Sequence, residues 1–437
     1  MPTEIPRQAM PQDESAAYIS PEQLQVGLFI HLDLNWMDHP FPFGSFKLKS
    51  DEQIKTIKNL GLKQIRYSPE KSDCPPAEAA TQALEPAAVS AAAPIEIDPA
   101  IAAEMAAKRQ RQLEQERRRA LLAECTKAFS SAAGTVRKLN REVHSNPKDS
   151  VTAATVLVGT MLDTLLTDND IAIHLMNDKA LGDDLYFHSL NTTVLGMMLA
   201  REMNFSRAQI EKLALASLLH DCGKVEVPDR ILLKTEPLNR AEKSLYEQHC
   251  QWGVDTARRA GLDAETQLII AQHHEHCDGS GYPKQLGIDS IHPLARILAV
   301  VNTYDNHCNK INPATSLTPH EGLSLMFAQQ KPKFDPAAMN MLIRSLGVYP
   351  PGTLVQLSNE YYGLVVAVNA SRPLKPQVLV YDPSIPAEQA MVLDLERHPD
   401  LNISKALKAS QLARPVLSYL NPRKRMTYYF SPSEPQA

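Results

Sequence analysis

From about residue 145 to residue 345 the chain reads as helix after helix, with no clear run of strands between them. Residue types mark the boundaries. "SRAQIEKLALASLLHD" opens on Ser206 with Gln209 three positions on, a capping-box pattern that satisfies free backbone donors reciprocally. "NRAEKSLYEQHCQWGVDTARRAG" runs from Asn239 as cap to Gly261 as stop, and "TPHEGLSLMFAQ" starts on Thr318 with Pro319 in the first turn and then Glu321. Helices in succession bury their apolar faces against one another, so this stretch folds as an all-α bundle.

The flanks have other patterns. Residues 1–17 are polar and Pro-containing and read as a flexible tail. "YISPEQLQVGLFIHLDL" and "SDEQIKTIKNLGLKQIRYSP" combine a capping box at Ser20 and Gln23, short apolar alternation, and one helix with a Gly stop. They predict a small α+β regulatory domain over 18–70. Residues 71–98 are rich in Ala and Pro, a composition that builds no core, and form a linker. Residues 99–149 hold strong helix formers and dense charge, which predicts an exposed helical connector. The bundle occupies 150–345. Beyond it, "GTLVQLSNEYYGLVVAVNA" and "PQVLVYDP" alternate apolar and polar residues, predicting a small β appendage over 346–437 whose last stretch, "NPRKRMTYYFSPSEPQA", frays. The fold class is mainly α, with a small α+β domain before the bundle and a β extension after it.

A chain of 437 residues has room for two or three domains, and a hydrophobic content of 43% suffices for their cores. The net charge of −5 argues against a protein that coats a nucleic-acid polymer, while leaving room for a small anionic substrate in a local pocket. None of the six cysteines falls in a CxxC pair, so a thiolate zinc site is disfavoured and isolated thiols in a reducing compartment are expected. The N-terminus lacks a basic start followed by an apolar run, and no apolar stretch approaches the ~18–20 residues of a membrane span. The expectation is a cytoplasmic protein.

The fourteen histidines are unevenly spread. Asp184 and His188 stand at i and i+4, on one helix face. His220 and Asp221 are adjacent at the end of an apolar helix. His249 shares a stripe with Leu245, Trp252 and Thr256, which points it inward. His273 and His274 end the apolar helix "ETQLIIAQHH" and open the Gly-rich "HHEHCDGSGYP". Any one of these has a structural explanation, and for a lone His188 a hydrogen-bonded core histidine is the better one. The adjacent pairs resist it, because burying two neighbouring polar side chains without partners costs several kcal/mol, roughly 2–7 each. Side chains from several helices that converge in a bundle core are how such folds build metal sites. Imidazoles mixed with carboxylates, without thiolates, suit Fe, Mn, Ni or Zn, and a carboxylate that bridges admits more than one ion.

These segments resemble a known family. "LLHDCGK" from Leu218 to Lys224, then "VPDRILLKTEPLNRAEKSLYEQHCQWG", then "HHEHCDGSGYP" is similar in order and spacing to the HD-GYP domain, a subgroup of the HD metal-dependent phosphohydrolases. The likeness covers roughly 150–345, with "FDP" at 334–336 also fitting, and "GLFIHLDLNWMDHPFPFGSF" resembles the small domain that often precedes HD-GYP in bacteria. The resemblance implies a phosphodiesterase that cuts cyclic di-GMP to linear pGpG and/or GMP with a hydroxide bridging two metal ions. Fe or Mn fits best, and Ni, Zn or Mg are alternatives. It assigns His188, His220, Asp221, His249, His273 and His274 to the metals, puts Asp184 where trinuclear members carry a Glu, and leaves His276 without a metal role. Lys224 would grip the scissile phosphate beside the catalytic Asp221. Gly281, Tyr282, Pro283 and Asp305 would face the substrate, with Gly279 and Gly281 letting backbone approach the nucleotide. Signalling proteins docking on the GYP segment, and a homodimer, are further partners it admits.

Two positions depart from the family pattern. In "VNTYDNHCN", Asn302 stands where an Asp ligand is usual, although Asp305 is kept, and in "NKINPA", Ile311 replaces an Arg. Asn302 remains a weak metal ligand in this reading. The rival class is therefore a cyclic di-GMP receptor or protein-docking module with weakened or lost turnover. A phosphohydrolase for another nucleotide is a third class, which the GYP segment disfavours.

Overall fold

The computed structural model describes residues 17–34, 39, 41, 44–77, 99–167, 171–176, 187–310, 312–369, 374–383, 385–387, 390–422 and 426–432. The chain divides into two compact units, residues 1–116 with 382–389, and residues 117–381 with 390–437.

In the first unit, strands β1 (Ala17–Ile19), β2 (Phe29–His31), β3 (Ser45–Lys47) and β4 (Ile65–Tyr67) form an antiparallel sheet of order β1-β4-β2-β3. Helix α1 (Asp51–Asn59) is capped by Ser50, whose side chain accepts from the Gln53 N–H, and it buries Ile54 and Ile57. Those residues join Leu28, Ile30 and Ile65 in one small core. This is the expected α+β domain, and the Ser20–Gln23 capping box is present.

Helix α2 (Pro99–Glu142) leads into the second unit. Its later turns are not an exposed connector: Phe129, Ala132, Val136 and Leu139 are buried in the same core as the bundle. Helix α3 (Pro147–Thr167) follows. Its Pro147–Leu166 stretch is long and apolar enough to cross a membrane by length and composition, which corrects the expectation that none exists. Here Ala154, Val158, Met161, Leu162 and Leu165 are buried against the bundle.

The bundle continues with α4 (Phe187–Glu202), α5 (Arg207–Leu219), α6 (Asp229–Leu232), α7 (Arg240–Glu247), α8 (His249–Arg259) and α9 (Ala264–Gln272). Helices α10 (Pro293–Cys308), α11 (Pro319–Gln329) and α12 (Pro336–Leu346) complete it. The caps expected at Ser206, Asn239 and Thr318 are present, each as a capping box, while the stretch read as one helix from Asn239 to Gly261 is interrupted at Gln248 and forms α7 and α8. Helix α4 is buried nearly all round, and so is α5 along its second half, so both run through the centre and not along its surface.

The all-α reading of 145–345 misses one element. Strand β5 (Ile171–Leu175) lies between α3 and α4. It is central to a sheet made with the C-terminal strands β6 (Leu354–Leu357), β7 (Tyr362–Asn369), β8 (Gln377–Val380), β9 (Val392–Asp394), β10 (Ile403–Leu407) and β11 (Tyr428–Pro432). The order is β10-β6-β7-β5-β11, with β8 also paired to β7, and β9 paired to β8. A short helix, α13 (Arg414–Leu420), precedes β11. The β extension is therefore tied into the bundle by a strand from inside it. Nor does 426–432 fray: β11 pairs with β5 over five residue pairs, from Tyr428 with Leu175 to Pro432 with Ile171.

Candidate metal centre

Helix ends deliver most of the site. His220 is the C-cap of α5, with Asp221 next in the chain and Lys224 in the 3-10 turn Cys222–Glu226. His249 is the first residue of α8, His273 is the C-cap of α9, and His188 lies in the first turn of α4. The HD turn can reach α8 only because position 223 is Gly. A Cβ there would stand 2.1 Å from the His249 carbonyl oxygen and 2.5 Å from Gly253 N.

Among the described residues two groups of potential ligands result, Asp221 with His249, His273 and His274, and Asp221 with His188 and His220. Asp221 belongs to both. Its Oδ2 lies 3.7 Å from His188 Nε2 and 3.3 Å from His220 Nε2. Its Oδ1 lies 3.7 Å from Nε2 of both His249 and His273. Each carboxylate oxygen thus faces a different imidazole pair.

The hydrogen bonds behind the rings test whether a cation belongs here. A neutral imidazole has one N–H and one lone pair. Nδ1 of His220 donates to the Ser217 carbonyl at 2.8 Å, that of His249 to Tyr246 at 2.6 Å, and that of His273 to Ile270 at 2.6 Å. Each therefore carries its lone pair on Nε2. Yet His188 Nε2 and His220 Nε2 approach to 3.2 Å, and His249 Nε2 and His273 Nε2 to 3.3 Å. Lone pairs facing each other repel, and a cation between them removes the conflict. Asp221 Oδ1 and His274 Nε2 are buried without a hydrogen-bond partner. Burial pushes the pKa of His220 down to about 4 and that of His249 down to about 3, and it holds His274 well below its ordinary value. These three rings, His220, His249 and His274, are neutral near pH 7, the state that binds metal. Burial would raise the Asp221 carboxyl, but the neighbouring His220 and Lys224 outweigh it and hold Asp221 well below the usual carboxylate range. The donor set fits divalent cations.

The GYP segment serves this site from within the chain. Tyr282 stacks on the His274 ring, with centroids 4.5 Å apart at 26°. A Cβ on Gly281 would lie 2.2 Å from His276 N and 2.5 Å from the His274 carbonyl oxygen. The glycine is thus required by the crossing of its own backbone over 274–276. Gly279 sits at φ +74, a left-handed conformation that glycine adopts without cost. Glu275, buried, accepts from the Lys284 N–H at 2.6 Å and the Leu286 N–H at 2.9 Å and staples the loop to the ligand pair. Pro283 is exposed. His276 pairs with Ser280 Oγ at 3.0 Å, outside the ligand groups.

Other expected residues land differently. Asp305 is fully buried. Its Oδ2 meets His188 Nδ1 at 2.6 Å, and its Oδ1 accepts from Asn191 and Asn309 at 2.7 and 2.8 Å. With both oxygens engaged, Asp305 stands behind a ligand and does not face a substrate. Lys224 Nζ lies 2.6 Å from Asp221 Oδ2, so in this state its partner is the shared carboxylate. Asn302 is buried on α10, one turn before Asp305, with its Oδ1 accepting from Asn306 at 2.7 Å. Asp184 and Ile311 lie outside the described residues. The sequence reading missed Glu275, Asn191 and Asn309. Asn191 carried a weak signal, being an amide three residues after His188, among other polar residues in the first turns of its helix.

A family model described as "HD domain" matches residues 166–338, and one described as "Domain of unknown function (DUF3391)" matches residues 17–154. A cyclic di-GMP phosphodiesterase of Pseudomonas aeruginosa is 30% identical over 365 residues, which cover 82% of this chain and 83% of that protein. The chain belongs to the HD-GYP phosphodiesterase family. This HD-GYP protein is also 30% identical over 149 residues to a cyclic di-GMP phosphodiesterase response regulator of Xanthomonas campestris, covering 34% of this chain and 39% of that one. A 3'3'-cGAMP-specific phosphodiesterase of Vibrio cholerae is 28% identical over 219 residues, 49% of this chain and 39% of that one.

Proposed function

We propose that this HD-GYP protein hydrolyses cyclic di-GMP to linear pGpG and/or GMP at a centre holding two divalent ions, Fe or Mn in preference to Ni, Zn or Mg. The observation that carries this is Asp221, each of whose oxygens faces a separate pair of imidazole nitrogens. When bound, divalent ions supply Lewis acidity at a phosphoryl oxygen and make a water nucleophilic near neutral pH. The chain's own residues do the rest. His188 and His220 hold one side, and His249, His273 and His274 the other. Lys224, paired with Asp221 in this structure, would meet the phosphate instead were that carboxylate shared with bound ions. Tyr282 keeps the His274 ring in place by stacking. The test is to load the full-length protein anaerobically with Fe(II) or Mn(II), then follow hydrolysis of cyclic di-GMP and of 3'3'-cGAMP side by side. Metal-dependent cleavage favouring cyclic di-GMP supports the proposal, and no cleavage of either at full metal occupancy refutes it.

Lys224→Met separates two roles of that lysine. A donor that serves the developing charge is worth roughly 100-fold or more in rate. Turnover should fall by about that factor with metal content unchanged. Loss of metal together with rate would instead make Lys224 a support for Asp221.

A second reading, a cyclic di-GMP receptor without turnover, is favoured by Asn302. A neutral amide offers one oxygen, here already accepting from Asn306, where a carboxylate would add charge beside the ions. Asn302→Asp should therefore raise metal affinity about 10-fold, the scale on which neighbouring residues act on a metal site, and raise turnover with it. More metal without any turnover would support the receptor, and no change in either would remove Asn302 from the centre.

A further inference from the structure

The carboxylate behind His188 is held from the far end of the chain. Asn191 on α4 and Asn309, which follows α10, both donate to Asp305 Oδ1, at 2.7 and 2.8 Å. The second amide hydrogen of each goes to the same acceptor, the Met426 carbonyl oxygen, at 2.8 Å in both cases. Each amide oxygen accepts from the same short segment: Asn191 Oδ1 from the Tyr428 N–H at 2.9 Å, and Asn309 Oδ1 from the Met426 N–H at 2.7 Å.

Two amide N–H groups fill Asp305 Oδ1, leaving Oδ2 for His188 Nδ1 at 2.6 Å. Two more fill both lone pairs of one backbone carbonyl. Neither amide can turn over, because its oxygen would then face the carboxylate and its NH2 a backbone N–H. The plane of the Asp305 carboxylate is thus set by residues 426–428, and it in turn orients the His188 ring. Outer residues that orient a ligating histidine control metal affinity. The segment itself is anchored by β11 pairing with β5 and by the buried Tyr428 hydroxyl, 3.3 Å from the Tyr304 hydroxyl and 3.4 Å from the Pro351 carbonyl.

We infer that the C-terminal segment 426–428 is a positioning element of the metal centre, acting on His188 through Asn191, Asn309 and Asp305. The inference rests on the two-ion reading and concerns only the His188 and His220 half. The affinity of one ion depends on the last strand of the chain, and that of the other does not.

The experiment is calorimetric titration of the metal-free, full-length protein with Mn(II), comparing wild type, Asn309→Leu and Tyr428→Phe. Asn309→Leu keeps the branching at Cγ and deletes the three side-chain hydrogen bonds named above. It should weaken one of the two ions by about 10-fold or more and leave the second at its wild-type affinity. Tyr428→Phe removes one anchor of the segment but keeps its backbone bonds to Asn191, so it should weaken the same ion by less than Asn309→Leu does and leave the other as in wild type. Asn309→Ser takes the place of Asn309→Leu should the latter not fold, with the same expectation. Wild-type affinities for both ions in a folded Asn309 variant overturn the inference. So do equal losses at both ions in either variant, since that reports general loosening. A wild type that binds no Mn(II) at all would instead overturn the two-ion reading.

Discussion

Asp221→Ala should empty both halves of the metal centre at once. The residue is shared by both ligand groups, so neither imidazole pair keeps a carboxylate. Loss of an outer partner of a metal ligand alone costs 10- to 100-fold, and loss of a shared ligand should cost at least about 100-fold in affinity and turnover. The fold should survive, because the bundle core formed by α4, α5, α9 and α10 lies behind the ligands. By contrast, His188→Ala removes a ligand of one group only and should leave the other ion bound. Metal content by elemental analysis, helicity by circular dichroism and cyclic di-GMP turnover measured on the same samples check this. A folded Asp221→Ala protein with full metal content would sink the shared-carboxylate centre.

Gly223→Ala should be as damaging with no change in chemistry. The added Cβ would sit 2.1 Å from the His249 carbonyl oxygen and 2.5 Å from Gly253 N. Both neighbours are backbone, so no side-chain rotation relieves the overlap. Either the HD turn lifts away or the first turn of α8 moves, and in both cases Asp221 and His249 separate. Overpacking of this kind costs about 1–3 kcal/mol, or a fall in Tm of roughly 2–5 °C for a unit of this size. Metal binding should suffer more than stability does. Gly253→Ala is the comparison, since its Cβ would meet Ile270 Cγ2 at 3.3 Å, an atom on a side chain that can shift. Its Tm and metal content should stay closer to wild type. If Gly223→Ala binds metal like wild type, the close crossing of the HD turn over α8 is not what holds the two ligands together.

The ligands were legible because each is marked locally. His220–Asp221 and His273–His274 stand where apolar helices end, and a polar pair at such a boundary has no structural purpose that its neighbours explain. The helix limits at Ser206, Asn239 and Thr318 were legible for the same reason, since a cap is a contract between residues three apart. Strand β5 was not. Ile173 and Leu175 do alternate with His174, but five residues do not define a strand without partners, and these partners are β7 and β11, up to about 260 residues away in the chain.

The roles of Asp305 and Lys224 show where local reading stops. Sequence alone established a helical bundle with imidazoles and a carboxylate at its helix ends, because periodicity, capping and ligand chemistry are properties of short segments. It could place Asp305 near the site but not say which way it faces. Only the packing of α4 against α10 and the return of residues 426–428 turned that carboxylate away from a substrate and onto His188. Likewise only the folded chain put one oxygen of Asp221 before each imidazole pair. Hydrogen bonds and metal coordination are directional, and direction in a buried site is set by contacts between segments far apart in sequence.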